Sequence, residues 1–184
     1  GWSSSPCCAM VMLSARAREA IEHTQSSSFS CDLKKWMLIA EGYEKGQHAY
    51  HTTMPTDALL RLRDVMLETR EYGFAKVREE QIELGRKVRA LLESRGFPSV
   101  AMEGYKAPGV VVSYTTDPEI QSSRAFLKVG LQTASGVPLQ CDEGPEFKSF
   151  RIGLFGLEKW HDPDRTVGHL SKALDDIGIP AAPN

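Results

Sequence analysis

A helical pattern runs from Thr53 to Arg95, with Gly73 the only residue that breaks it, and it organises everything on either side. A helix of some twenty residues is already about as long as a small domain is wide, so the rest must pack around it. Pro55 suits a first helical turn, and Thr53 and Thr56 are placed to cap it. In the second half Phe74, Val77, Leu84, Val88 and Leu91 keep helical spacing, and Glu83 and Lys87 form a favourable i,i+4 pair. Gly73 marks a bend, and Gly96 with Pro98 marks the end.

The residues before this helix are an assortment. "CCAMVML" (Cys7–Leu13) predicts a short buried strand, Ser14 an N-cap for the helix "ARAREAIEH", and "TQSSSFS" a polar loop. "DLKKWMLIAEGY" predicts a second helix with Leu33, Trp36, Met37 and Ala40 on one face. One strand and two short helices make a poor free-standing core. After Arg95 the pattern becomes short strands alternating with helices. "SVAME", "GVVVSYT", "VPLQC" and "FKSFRIGLF" predict strands, "PEIQSSRAFLKVGLQTA" a helix opened by Asp117 and Pro118. Asp162 and Pro163 start a last helix with Val167, Leu170, Leu174 and Ile177 on one face and Gly178 at its end. Residues 54–180 thus read as an α+β domain whose small sheet is covered by helices on one side.

Composition narrows the function classes. The 184 residues are 41% hydrophobic and 25% charged with a net charge of −2, an ordinary globular profile with no basic face for nucleic acid or an anionic membrane. Apolar runs are too short to span a bilayer. Cys7, Cys8, Cys31 and Cys141 include no CxxC pair and no accompanying histidine spacing, which argues against a disulfide framework or zinc site and fits a reducing cytoplasm. A chain starting at Gly1 is expected to be part of a longer protein.

Two places carry candidate chemistry. Arg151 sits alone in the strand-like run "FKSFRIGLFGLEKW", where a guanidinium needs a partner: an internal carboxylate, or a substrate carboxylate gripped in two-pronged fashion. Gly153 and Gly156 beside it leave room for close approach. "AYHTTMPT" (Ala49–Thr56) gathers hydroxyl and imidazole donors before a helix N-terminus, either as caps or as a phosphate cradle. Cys141 with Asp142 and Glu143 reads as a polar turn, "HDPD" around His161, Asp162 and Asp164 as a helix start, and Glu79, Glu80 and Glu83 as a solvated helix face.

The segments "YHTTMPTDALLRLRDVM", "SFRIGLFG" and "DRTVGHLSKALDDIG", with "MLSARAREAI" and "SSSFSCDLKKW" before them, resemble the class V pyridoxal-phosphate-dependent aminotransferases. The nearest group is the alanine–glyoxylate, serine–glyoxylate and 2-aminoethylphosphonate aminotransferase-like branch. The resemblance covers nearly the whole chain and implies an α/β, fold type I architecture. Residues 1–52 would be the tail of the large cofactor-binding domain. Residues 53–184 would be the interdomain helix and the small α+β C-terminal domain, with a mainly antiparallel sheet.

It also implies roles. Arg151 matches the arginine that grips the substrate's α-carboxylate. Tyr50 and Thr53 match positions that reach the pyridoxal 5'-phosphate of the neighbouring subunit in a homodimer. "GWSSSP" matches the residues just after the lysine that holds the cofactor covalently, so that lysine is expected just before Gly1, and this chain alone is expected to be inactive. "LQCDEGPEF" departs from the family's glycine-rich turn and so reshapes the mouth of the site. The parent would move an amino group from an amino acid or similar amine to an α-keto acid such as glyoxylate or pyruvate. The competing readings are an independent small-anion-binding or regulatory module, and a structural interaction domain. A fragment of an aminotransferase expects segment 1–52 to expose apolar surface; the other two expect it covered.

Overall fold

The computed structural model describes residues 4–181. The chain divides into two compact units, Ser5–Arg63 and the stretch from Asp64 onward. In the first, helix α1 (Ala15–Glu22) is capped by Ser14, whose hydroxyl accepts from the Ala17 amide, and α2 (Leu33–Glu44) by Asp32, whose carboxylate accepts from the Lys35 amide. The expected strand over Cys7–Leu13 does not form. Among the described residues it has no strand to take its hydrogen bonds, and Met10, Val11 and Met12 are exposed. None of the described residues from 4 to 63 is buried, so this unit supplies no core of its own.

The long helical pattern folds as α3 (Thr56–Tyr72) and α4 (Phe74–Ser94), separated at Gly73, whose φ of 106° only glycine adopts freely. Pro55, rather than Thr53, precedes the first turn, and its carbonyl accepts the Leu59 amide. The helix α4 ends where the sequence says, with Gly96 at positive φ and the Phe97 amide returning to the Leu92 carbonyl.

Strands β1 (Val110–Tyr114), β2 (Ala134–Ser135) and β3 (Ser149–Gly153) make an antiparallel sheet in the order β1-β3-β2. Leu84, Val88 and Leu92 line one stripe of α4 and join Val111, Phe150 and Ile152 of the sheet and Leu170 and Leu174 of α8 (Pro163–Asp176) in one core. The rings of Phe97 and Phe150 meet edge to face, with centroids 5.2 Å apart. Three expectations are corrected. "SVAME" makes a single bridge, Ser99 to Ser113, instead of a strand. "VPLQC" is not a strand; Gln140 and Asp142 adopt positive φ and turn the chain there. "PEIQSSRAFLKVGLQTA" is two short helices, α5 (Pro118–Gln121) and α6 (Arg124–Lys128), because Ser123 is left-handed at φ 64°. One short helix, α7 (Leu157–Trp160), lies outside the expected elements; Trp160 docks there, its indole N–H donating to Gln81 and to the Leu154 carbonyl.

Candidate functional site

Arg151 lies at the middle of the central strand, paired with Val112 on one side and Ala134 on the other. Alternation along β3 puts Phe150 and Ile152 into the core and turns Arg151 to the opposite face, where it is half-buried. Its Nε donates to the Ser135 carbonyl at 3.0 Å. Among the described residues no carboxylate pairs with Arg151, and none accepts from its two terminal nitrogens. One edge of the guanidinium is therefore fixed by the backbone, and the other presents two parallel donors from a rigid strand. That is the geometry a carboxylate engages in two-pronged fashion.

Ser135 is a site element that pattern reading misses. A two-residue strand has no periodicity, yet its carbonyl sets the direction of Arg151. Gly136 follows it so closely against β3 that a Cβ there would fall 1.7 Å from the Ser149 carbonyl oxygen.

Tyr50 and Thr53 lie in the other unit, on the turn before α3. Their hydroxyls are 3.1 Å apart, and both residues are exposed. His51 points elsewhere: its Nε2 is 3.0 Å from the Phe29 carbonyl, and its ring packs on Phe29 and Trp36. Of the "YHTT" donors, Tyr50 and Thr53 thus converge, and His51 holds the turn in place. Two convergent hydroxyl donors beside a helix N-terminus suit the acceptor oxygens of a phosphate. Gly1–Ser3, which the resemblance sets directly after its lysine, lie outside the described residues.

The remaining candidates have structural employment. Glu143 folds back on its own turn, where the Cys141 and Gln140 amides donate to it at 2.8 Å each and hold its carboxyl at about 2. Asp162 caps α8 through the Arg165 amide, Asp164 pairs with Lys87, and His161 stacks on Tyr72. Glu80 accepts from the Tyr72 hydroxyl, and Glu83 binds Arg86 and Lys87, which pull its carboxyl to about 2. No group of metal-ligating side chains occurs among the described residues.

No protein-family profile matches the chain, and no curated protein matches it in sequence. Solved structures do match in fold. An alanine–glyoxylate aminotransferase from Nostoc sp. superposes with a TM-score of 0.71 at 19% identity, covering 90% of this chain and 42% of that one. A pyridoxamine–pyruvate aminotransferase from Mesorhizobium loti gives 0.70 at 18% identity over 92% of this chain and 43% of its own. A ureidoglycine–glyoxylate aminotransferase from Bacillus subtilis gives 0.67 at 20% identity over 91% and 43%. The chain thus spans less than half the length of each. Its architecture of mixed helices around a small antiparallel sheet is thus the fold of part of each of these aminotransferase structures.

Proposed function

We propose that this chain is the C-terminal part of a pyridoxal-phosphate-dependent aminotransferase that passes an amino group to an α-keto acid, and that Arg151 binds the substrate's carboxylate. The observation that carries this is the guanidinium itself, tethered by Nε to Ser135 and without an acidic partner among the described residues. Exposure in the first unit supports it. Met12 is 84% exposed, Phe29 66% and Leu38 56%, as expected of a face that packs on a further domain and not of an independent module. Residues 1–52 are then the tail of a large cofactor-binding domain, and 53–184 the interdomain helix and small domain.

Tyr50 and Thr53 would hold the cofactor's phosphate, from across the interface of a homodimer, since their paired hydroxyls fit that group. Pyridoxal phosphate, when bound, supplies the electron sink for removing a proton from the amino-bearing carbon. Arg151 orients the substrate by its carboxylate and so fixes which bond faces that sink. Glyoxylate and pyruvate are the acceptors we favour, as the names of the three matched structures pair an amine with one or the other. The four cysteines are all free, in keeping with a cytoplasmic setting, and no helix among the described residues is long and apolar enough to cross a membrane.

The test is Arg151→Met in the full-length parent. Loss of a two-pronged charged contact should raise KM for the keto acid on the order of a hundredfold while cofactor affinity stays unchanged. Unchanged KM with Arg151 replaced would reject the assignment.

A further inference from the structure

The segment predicted as a strand but folded without strand partners brings two thiols together. In an extended strand successive side chains point to opposite faces, so adjacent cysteines would hold their sulfurs well apart. Here Cys7 Sγ and Cys8 Sγ lie 3.7 Å apart, on the same side of an irregular backbone, and the Cys7 thiol points its hydrogen at the Cys8 sulfur. Cys8 is exposed and Cys7 half-buried, so both are within reach of a small reagent. Desolvation, and then the Cys7 contact, push the Cys8 thiol above its usual value.

The spacing lets both sulfurs reach one centre: at about 2.3 Å from a shared atom, two sulfurs stand about 3.3 Å apart for a right angle and about 3.8 Å for a tetrahedral one. A four-coordinate metal needs two further ligands, and among the described residues no third His, Cys, Asp or Glu is grouped with the pair. The pair therefore suits a centre that two sulfurs saturate. Three-coordinate trivalent arsenic bearing one carbon substituent is such a centre.

We propose that Cys7 and Cys8 form a vicinal-dithiol site that captures organic trivalent arsenicals of the R–As=O class. The condensation balances without an oxidant. Two S–As bonds form, the As=O bond breaks, and the two thiol protons leave with that oxygen as one water, while arsenic stays trivalent. Cys31 and Cys141 are separate exposed thiols and have no cysteine beside them in sequence to complete such a ring.

Phenylarsine oxide added to the 184-residue chain, followed by intact mass spectrometry, tests this. One phenylarsenic group per chain should survive a large excess of glutathione, a monothiol, and come off with dimercaptopropanol, a dithiol. Cys7→Ser and Cys8→Ser should each abolish the glutathione-resistant adduct completely, whereas Cys31→Ser and Cys141→Ser should leave it unchanged. Circular dichroism of all four variants checks that the fold is intact; Cys7 and Cys8 lie outside the buried core, so it should be. Absence of an adduct, an adduct stripped by glutathione, or one retained in either single variant of the pair would overturn the site.

Discussion

Replacing Arg95 or Arg151 with methionine removes the same guanidinium from two different settings within the second unit. The Arg95 side chain is only 5% exposed and donates to the Asp175 carboxylate at 2.5 Å, the Ser171 hydroxyl at 2.9 Å and the Ile179 carbonyl. Methionine would keep much of the packing volume but leave those acceptors unpaired. Breaking a buried pair costs about 3–5 kcal/mol, and Asp175 regains water because it is 54% exposed, so about 3 kcal/mol is expected. Arg151 loses a single hydrogen bond to a carbonyl on exposed Ser135, which rehydrates, so its loss should cost about 1 kcal/mol or less. The difference, about 2 kcal/mol, corresponds to a gap of about 1 M in urea midpoint for an m-value near 2 kcal/mol/M. The assay is urea unfolding followed by the NMR amide signals of β1 and β3, which report this unit alone. A penalty for Arg151→Met equal to that of Arg95→Met would mean that the fold itself needs the Arg151 guanidinium, and the substrate role would fall.

Gly136→Ala should destabilise the sheet by about 2 kcal/mol or more and loosen the Ser135 carbonyl, since the added carbon meets backbone at 1.7 Å; loss of protection at β2 in hydrogen exchange would show it. The Glu143 carboxyl, depressed to about 2 from an ordinary 4.5, makes the turn over 139–144 most secure above pH 4.5, with the contribution lost as pH falls through about 2; titration of the Gln140 and Cys141 amide shifts reads this directly, and a midpoint near 4.5 would refute the clasp. Tyr50→Phe should leave stability unchanged, as the residue is exposed, and weaken cofactor affinity of the parent by about tenfold; unaltered affinity removes Tyr50 from the phosphate contact.

Periodicity and punctuation make most of the fold legible in the sequence. The helices α1, α2, α3, α4 and α8 carry apolar stripes, and their ends are set by Ser14, Asp32, Gly73, Gly96, Asp162 and Gly178. β1 is a run of valines closed by Tyr114, and in β3 the apolar Phe150 and Ile152 alternate with polar or small residues. The features that escape depend on partners remote in sequence. Cys7–Leu13 has the composition of a strand, but a strand exists only where another takes its hydrogen bonds. Nothing local says that Ser123 adopts a left-handed turn or that Ala134–Ser135 pairs with β3. Arg89 and Arg95 look like the solvated side of a helix, yet Arg89 is buried and donates to the Ala107 and Val110 carbonyls. Arg151 is legible as an odd charge in an apolar run; that its Nε is tethered to Ser135 with the fork left open is not.

The most direct test of the open fork is nitrogen-15 NMR of the Arg151 side chain in the 184-residue chain during titration with pyruvate and, separately, with its uncharged amide. A two-pronged contact at a half-exposed site should give saturable binding on the order of tens of millimolar with pyruvate and none with the amide, with the Arg151 Nε signal moving along the pyruvate curve. An Arg151 signal that ignores pyruvate, or answers both compounds alike, would contradict a guanidinium held ready for a substrate carboxylate.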